Sequence, residues 1–142
     1  MNNNQETAMT QVYTPKQVAF GALGGPVGML YFIWANFSIL KKDNHSKVTI
    51  VLGIAFIISL IFAAPFVPQS IPSIAFTLVY ILVAYMLSQK FHLRKSVIIK
   101  SDKYTCHSSV RVLCITIACF WASYLVVTAP LHLLYSIGFF SV

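Results

Sequence analysis

The sequence predicts an all-α integral membrane protein with four transmembrane helices and both termini extracytoplasmic. Three observations predict it. First, 58% of the 142 residues are hydrophobic and only 9% are charged, where an ordinary globular domain carries about 25% charged residues. Second, four apolar runs free of Lys, Arg, Asp and Glu approach the roughly 20 residues that a helix needs to cross a bilayer core. Third, nine of the ten basic residues fall on one side of those four runs. A mean hydropathy of +0.77 excludes a disordered, collagen-like or disulfide-rich secreted chain. The runs do not alternate apolar with polar residues, which excludes a β-barrel.

Residues 1–14 form a polar lead-in, and residues 15–142 a single four-helix domain. Thr14-Pro15-Lys16-Gln17 matches a capping box at the start of a helix, with Pro15 at the first helical position. The first span is Val18 to Leu40. Its lead-in has no basic n-region and no small-residue cleavage site, so it is expected to stay as a span and not be removed as a signal peptide. The second span runs from Val48 to Val67 and the third from Ile71 to Ser88. Pro65, Pro68 and Pro72 break the chain between them into a tight, uncharged hairpin. The fourth begins at Val112, and residues 112–142 carry no charge. As one straight helix that stretch would measure about 46 Å, so Pro130 is expected to kink or stop it.

Lys41, Lys42 and Lys47 lie in the first loop. Lys90, Arg94, Lys95, Lys100, Lys103 and Arg111 lie in or beside the third, at about 89–110, and only Lys16 falls on the other side. Basic residues near span ends stay cytoplasmic, so both basic loops are expected to face the cytoplasm. The third loop also carries Phe91, Val97, Ile98, Ile99 and Tyr104, apolar anchors suited to anionic lipid head groups or an acidic partner. Nothing in it resembles a nucleic-acid-binding module.

The chemistry of known catalytic and coupled classes is missing from the pattern. Glu6, Asp43 and Asp102 all fall outside the spans, whereas proton-coupled exchangers keep a carboxylate in the bilayer. Cys106, Cys114 and Cys119 form no Cys-x-x-Cys pair, and Cys106-His107 with His92 fits no standard zinc spacing. His132 has no acid near it in sequence, and no nucleophile elbow, zinc-protease motif or phosphate-binding glycine loop occurs. No catalytic residue, metal site or cofactor is therefore expected.

Two polar features remain. Gly21 with Gly25, and Gly24 with Gly28, are overlapping small-xxx-small pairs that let another helix approach closely. Pro26 frees the Ala22 carbonyl and is expected to bend the first helix there. The competing reading is a broken helix whose carbonyls contact a solute. Asn36 is expected to make an interhelical hydrogen bond; in a channel reading Asn36, Thr77 and Tyr80 would line a polar path.

The opening Tyr13-Thr14-Pro15-Lys16-Gln17-Val18-Ala19, then Gly24-Gly25-Pro26 and later Asp102-Lys103-Tyr104, resemble a set of small bacterial inner-membrane proteins with four spans and no assigned activity. The resemblance implies a multi-pass protein of the bacterial inner membrane and imports no activity. The expected function is non-catalytic interaction, as an accessory, regulatory or toxin-neutralising subunit. Its expected partners are membrane lipids and another membrane protein or a second copy in a homo-oligomer, with no nucleic acid. The alternative is a small channel or facilitator without proton coupling.

Overall fold

The computed structural model describes residues 9–68, 70–91, 95–100 and 103–139. It is 80% helical, with four helical segments long and apolar enough to cross a membrane. The chain runs β1 (Thr10–Val12), α1 (Pro15–Gly21), a 3-10 turn (Ala22–Gly24), α2 (Gly25–Ile39), α3 (Asp43–Ala63), a second 3-10 turn (Ala64–Phe66), α4 (Ser73–Phe91), α5 (Lys95–Ile99), β2 (Tyr104–Cys106) and α6 (Ser109–Ser136). β1 and β2 pair in parallel, with Thr10 opposite Tyr104 and Val12 opposite Cys106. Residues 10–14 of the lead-in are thus part of the packed body: Val12 and Tyr13 are 1% and 2% exposed.

α1 begins where its capping box places it. The Gln17 amide donates to Thr14 Oγ1 at 3.2 Å, and the Thr14 amide donates to Gln17 Oε1 at 3.0 Å. The first apolar segment then departs from the expected bent rod. In a straight helix the 23 residues between Tyr13 and Asn36 would span about 34 Å. Instead, Asn36 Oδ1 accepts from the Tyr13 amide at 2.8 Å, and Asn36 Nδ2 donates to the Tyr13 carbonyl at 2.7 Å. The Tyr13 and Phe32 rings meet edge to face at 4.8 Å. A Cβ on Gly28 would strike the Gly21 carbonyl oxygen. α1 and α2 therefore form an antiparallel helical hairpin.

The chain reverses at Gly24–Gly25. Gly25 has φ 77° and ψ −162°, a conformation open in practice to glycine alone. Pro26 sits in the first turn of α2, where an amide has no helical partner to lose. The break is a reversal made by glycine, not a bend made by proline.

This reversal changes the relation between the chain's two ends. β1 lies with β2, at the start of α6. The α2–α3 turn is at the same end, because Lys42 Nζ donates to the Phe91 carbonyl at the close of α4. Ser136 lies 28 helical residues along α6, about 40 Å away. β1 and the close of α6 lie at opposite ends of the helices, while the termini themselves, expected on one side, lie outside the described residues. Lys16, expected alone on the far side, joins the other basic residues.

The hairpin is the core. In its most apolar 18-residue stretch 56% of the residues are buried, against 6%, 11% and 22% for the segments of α3, α4 and α6. Those three helices pack around it with their outer faces bare, as at Val51, Leu78 and Trp121. α6 continues through Pro130 without stopping. It ends in a Schellman motif: Gly138, at φ 72°, donates to the Tyr135 carbonyl and Phe139 to the Leu134 carbonyl.

Candidate functional site

Pairing of β1 with β2 brings Tyr13 onto His107. The His107 amide donates to the Val12 carbonyl at 3.3 Å, and Gln17 Nε2 donates to the His107 carbonyl at 2.7 Å. The two rings stack at 4.1 Å with 30° between planes. Ser108 then caps α6, its Oγ accepting from the Arg111 amide at 3.3 Å. That cap sets Arg111 in the first turn, where its guanidinium reaches both the Tyr13 hydroxyl and the field of His107.

A pocket of about 200 Å³ opens here, lined by Gln11, Tyr13, Tyr31, Trp34, His107 and Arg111 among others. Burial first, and then the neighbouring Tyr31, push the Tyr13 phenol above its ordinary range, with Arg111 opposing. Burial and then the Arg111 charge push the His107 imidazole below its ordinary range. His107 is 7% exposed. Its two ring nitrogens are the only buried side-chain polar atoms among the described residues that lack a hydrogen-bond partner.

The other basic residues surround this end. Lys16, Lys41, Lys42, Lys47, Lys90, Lys100, Lys103 and Arg111 are all exposed. Lys90 lies over the Phe91 ring at 5.5 Å and Lys103 over the Tyr104 ring at 5.6 Å. Lys95 opens α5; Arg94 and His92 lie outside the described residues.

The glycine strip lies in and below the hairpin. Gly21 faces Phe32 and Gly28 across the hairpin, while Gly24 and Gly25 meet α6. Ser123 fixes that junction twice: its hydroxyl donates to the Gly24 carbonyl at 2.6 Å and accepts from the Val27 amide at 3.1 Å. Backbone that leaves helical pairing within a bilayer must find such partners in the protein. From Arg111 to Ser123 α6 advances about 18 Å, less than the roughly 30 Å thickness of a bilayer core.

The supposed polar path divides. Thr77 and Tyr80 line a cavity of about 490 Å³ beyond the hairpin tip, together with Ser123, Tyr124 and Thr128. Asn36 is 1% exposed and clasped to Tyr13 at the basic end, so it is no part of that cavity. Cys106 is half-buried, Cys114 exposed and Cys119 buried, all as free thiols, and His132 is exposed toward the far end of α6.

Sequence reasoning missed Tyr13, His107 and Ser123. Ser123 carried a usable signal, as the one aliphatic hydroxyl in the apolar run Ile117–Val127. Tyr13 and His107 carried none, because 94 residues separate them.

Comparison with known protein families, curated proteins and solved structures finds no match for the chain.

Proposed function

We propose that the chain is a multi-pass protein of the bacterial inner membrane that works by contact and not by catalysis, its basic end turned to the cytoplasm. One observation carries the reading: every described Lys and Arg lies at the end where β1, the α2–α3 turn, β2 and the start of α6 meet. Residues 48–89 and 112–142 contain no Lys, Arg, Asp or Glu. Such one-sided charge favours the cytoplasmic face and draws in anionic head groups. The bare apolar faces of α3, α4 and α6 suit lipid, a second membrane protein or a second copy. The location rests on the resemblance of the Tyr13–Ala19 and Gly24-Gly25-Pro26 motifs to those of small bacterial inner-membrane proteins.

Reporter fusions test the orientation. A reporter ahead of Met1 and one after Lys42 should both act as cytoplasmic, and one after Val142 as extracytoplasmic. A reporter ahead of Met1 that acts outside the cytoplasm would overturn the reading.

The cavity beyond the hairpin tip favours a second reading, a facilitator without proton coupling. Thr77, Tyr80, Tyr124 and Thr128 offer hydroxyls to a neutral solute there. Solute-induced swelling of proteoliposomes, lost in Tyr80→Phe and Tyr124→Phe together, would support it; equal swelling in empty vesicles would sink it.

A further inference from the structure

We propose that the pocket framed by Tyr13, Tyr31, Trp34, His107 and Arg111 is a discrete phosphate subsite, taking the phosphodiester of an anionic lipid head group. It rests on the reading of the basic end as a contact surface and names the ligand chemistry of that surface.

Four features of the pocket converge on an oxyanion. Arg111 carries a planar fork that matches two phosphate oxygens. Among the described residues no carboxylate stands against it: Asp43 is the one acidic side chain there, and it lies in the first turn of α3. The Tyr13 hydroxyl is within hydrogen-bond reach of both Tyr31 and Arg111, which leaves one hydroxyl proton of the tyrosine pair for a ligand beside the charge. His107 forms a wall of the same pocket with both ring nitrogens unpartnered. An unsatisfied buried polar group is costly, and a bound oxyanion brings an acceptor oxygen to whichever His107 nitrogen carries the proton.

Size and depth narrow the ligand further. A volume of about 200 Å³ is below the range of drug-sized sites, roughly 300–1,000 Å³, and suits a head-group phosphate. The pocket sits at the first turn of α6, where its apolar run begins, with Tyr31 and Trp34 on the wall. Tyr and Trp gather at that depth, where one edge of the ring meets lipid and the other water. A head group arriving from the inner leaflet would enter sideways, its acyl chains lying against the hairpin and α6.

The test is lipid retention by the full chain. The protein is placed in nanodiscs of mixed phosphatidylglycerol and phosphatidylcholine, and bound lipid is counted by native mass spectrometry after release. The parent should retain phosphatidylglycerol preferentially. Arg111→Gln should lower that preference by about tenfold, the loss of a charge-assisted hydrogen bond. Arg111→Lys keeps the charge but loses the fork and should fall between. Tyr31→Phe removes one hydroxyl and should fall by a few-fold, with the melting temperature checking that each variant folds. The paired variant Lys47→Gln and Lys100→Gln, outside the pocket but on the same basic end, should fall by clearly less than Arg111→Gln.

Equal losses in Arg111→Gln and the paired lysine variant would overturn the subsite while leaving a diffuse basic contact surface intact. No preference for the anionic lipid in the parent would instead overturn the contact reading itself. Inorganic phosphate titrated into protein in detergent separates the two sources. Arg111-dependent stabilisation at millimolar phosphate, without lipid preference, would assign the pocket to the free ion and overturn the lipid assignment.

Discussion

The Asn36 side chain holds both main-chain groups of Tyr13, accepting from its amide and donating to its carbonyl. This two-bond clasp closes the open end of the α1–α2 hairpin, as Ser123 secures its tip. A carboxamide is the side chain that can do both at once.

Asn36→Asp should therefore not behave as a conservative change. It keeps an acceptor for the amide but sets an oxygen against the Tyr13 carbonyl, costing about 1–3 kcal/mol. Asn36→Leu leaves both groups buried and unpaired and should cost at least as much. Thermal unfolding in detergent, with limited proteolysis at residues 9–14, reads both variants. An Asp variant that melts with the parent and resists cleavage equally would show that the clasp is unimportant.

Gly25→Ala should destabilise more than its size suggests. Its positive φ costs an L-residue about 1–2 kcal/mol, and the new Cβ would lie 2.8 Å from Ser123 Oγ. Gly138 provides an internal control, with a φ of 72° and nothing within 4 Å of an added Cβ. Gly138→Ala should show the conformational cost alone. If both variants lose the same melting temperature, the tip is not docked on α6.

The depressed imidazole of His107 makes stability depend on pH in a defined direction. Burial and Arg111 oppose protonation in the folded state, so below the ordinary histidine range, about 6.5, the unfolded chain binds more protons. Stability should be level above that pH and fall as pH drops below it, toward the lower folded value. His107→Phe keeps a ring against Tyr13 and should flatten the slope. Denaturation midpoints between pH 5 and 8 check this, and an unchanged slope in the variant would assign the titration elsewhere.

Lys41 is the one described residue other than glycine with positive φ, at 55°. It stands at the C′ position of a Schellman motif: its amide donates to the Ser38 carbonyl and the Lys42 amide to the Phe37 carbonyl. Glycine is the preferred residue there. Lys41→Gly should raise stability by about 0.5–1 kcal/mol, read as a higher melting temperature. A lower one would mean that the lysine side chain contributes more than its backbone costs.

Hydropathy located all four apolar segments because the absence of charge is a property of composition and needs no geometry. It was blind to direction: a stretch such as Pro15–Ile39 is equally apolar straight or folded in two. The capping box at Thr14 and Gln17 was legible because it acts over three residues. Gly24-Gly25-Pro26 marked the right place, but proline is the louder breaker, and the sign of φ at Gly25 decides between a bend and a reversal. The pairing of β1 with β2 lay beyond reach, since each strand is three residues long and its partner lies more than 90 residues away. The lysines other than Lys16, and Arg111, could be assigned to one face by topology alone. The pocket beneath Arg111 could not, because it is assembled from three separated segments.

The docking of the hairpin tip on Ser123 also sets an order of assembly. Gly24 is made early, yet the hydroxyl that satisfies its carbonyl follows 99 residues later. At about 5–20 residues per second of synthesis, the delay is roughly 5–20 s. Through most of that interval the arm from β1 to α2 has neither β2 nor α6 to hold it, while α3 and α4 are being made. The α1–α2 hairpin is thus made before the element that secures its tip. A chain stalled before residue 123 would expose an uncapped glycine turn for membrane quality control to recognise.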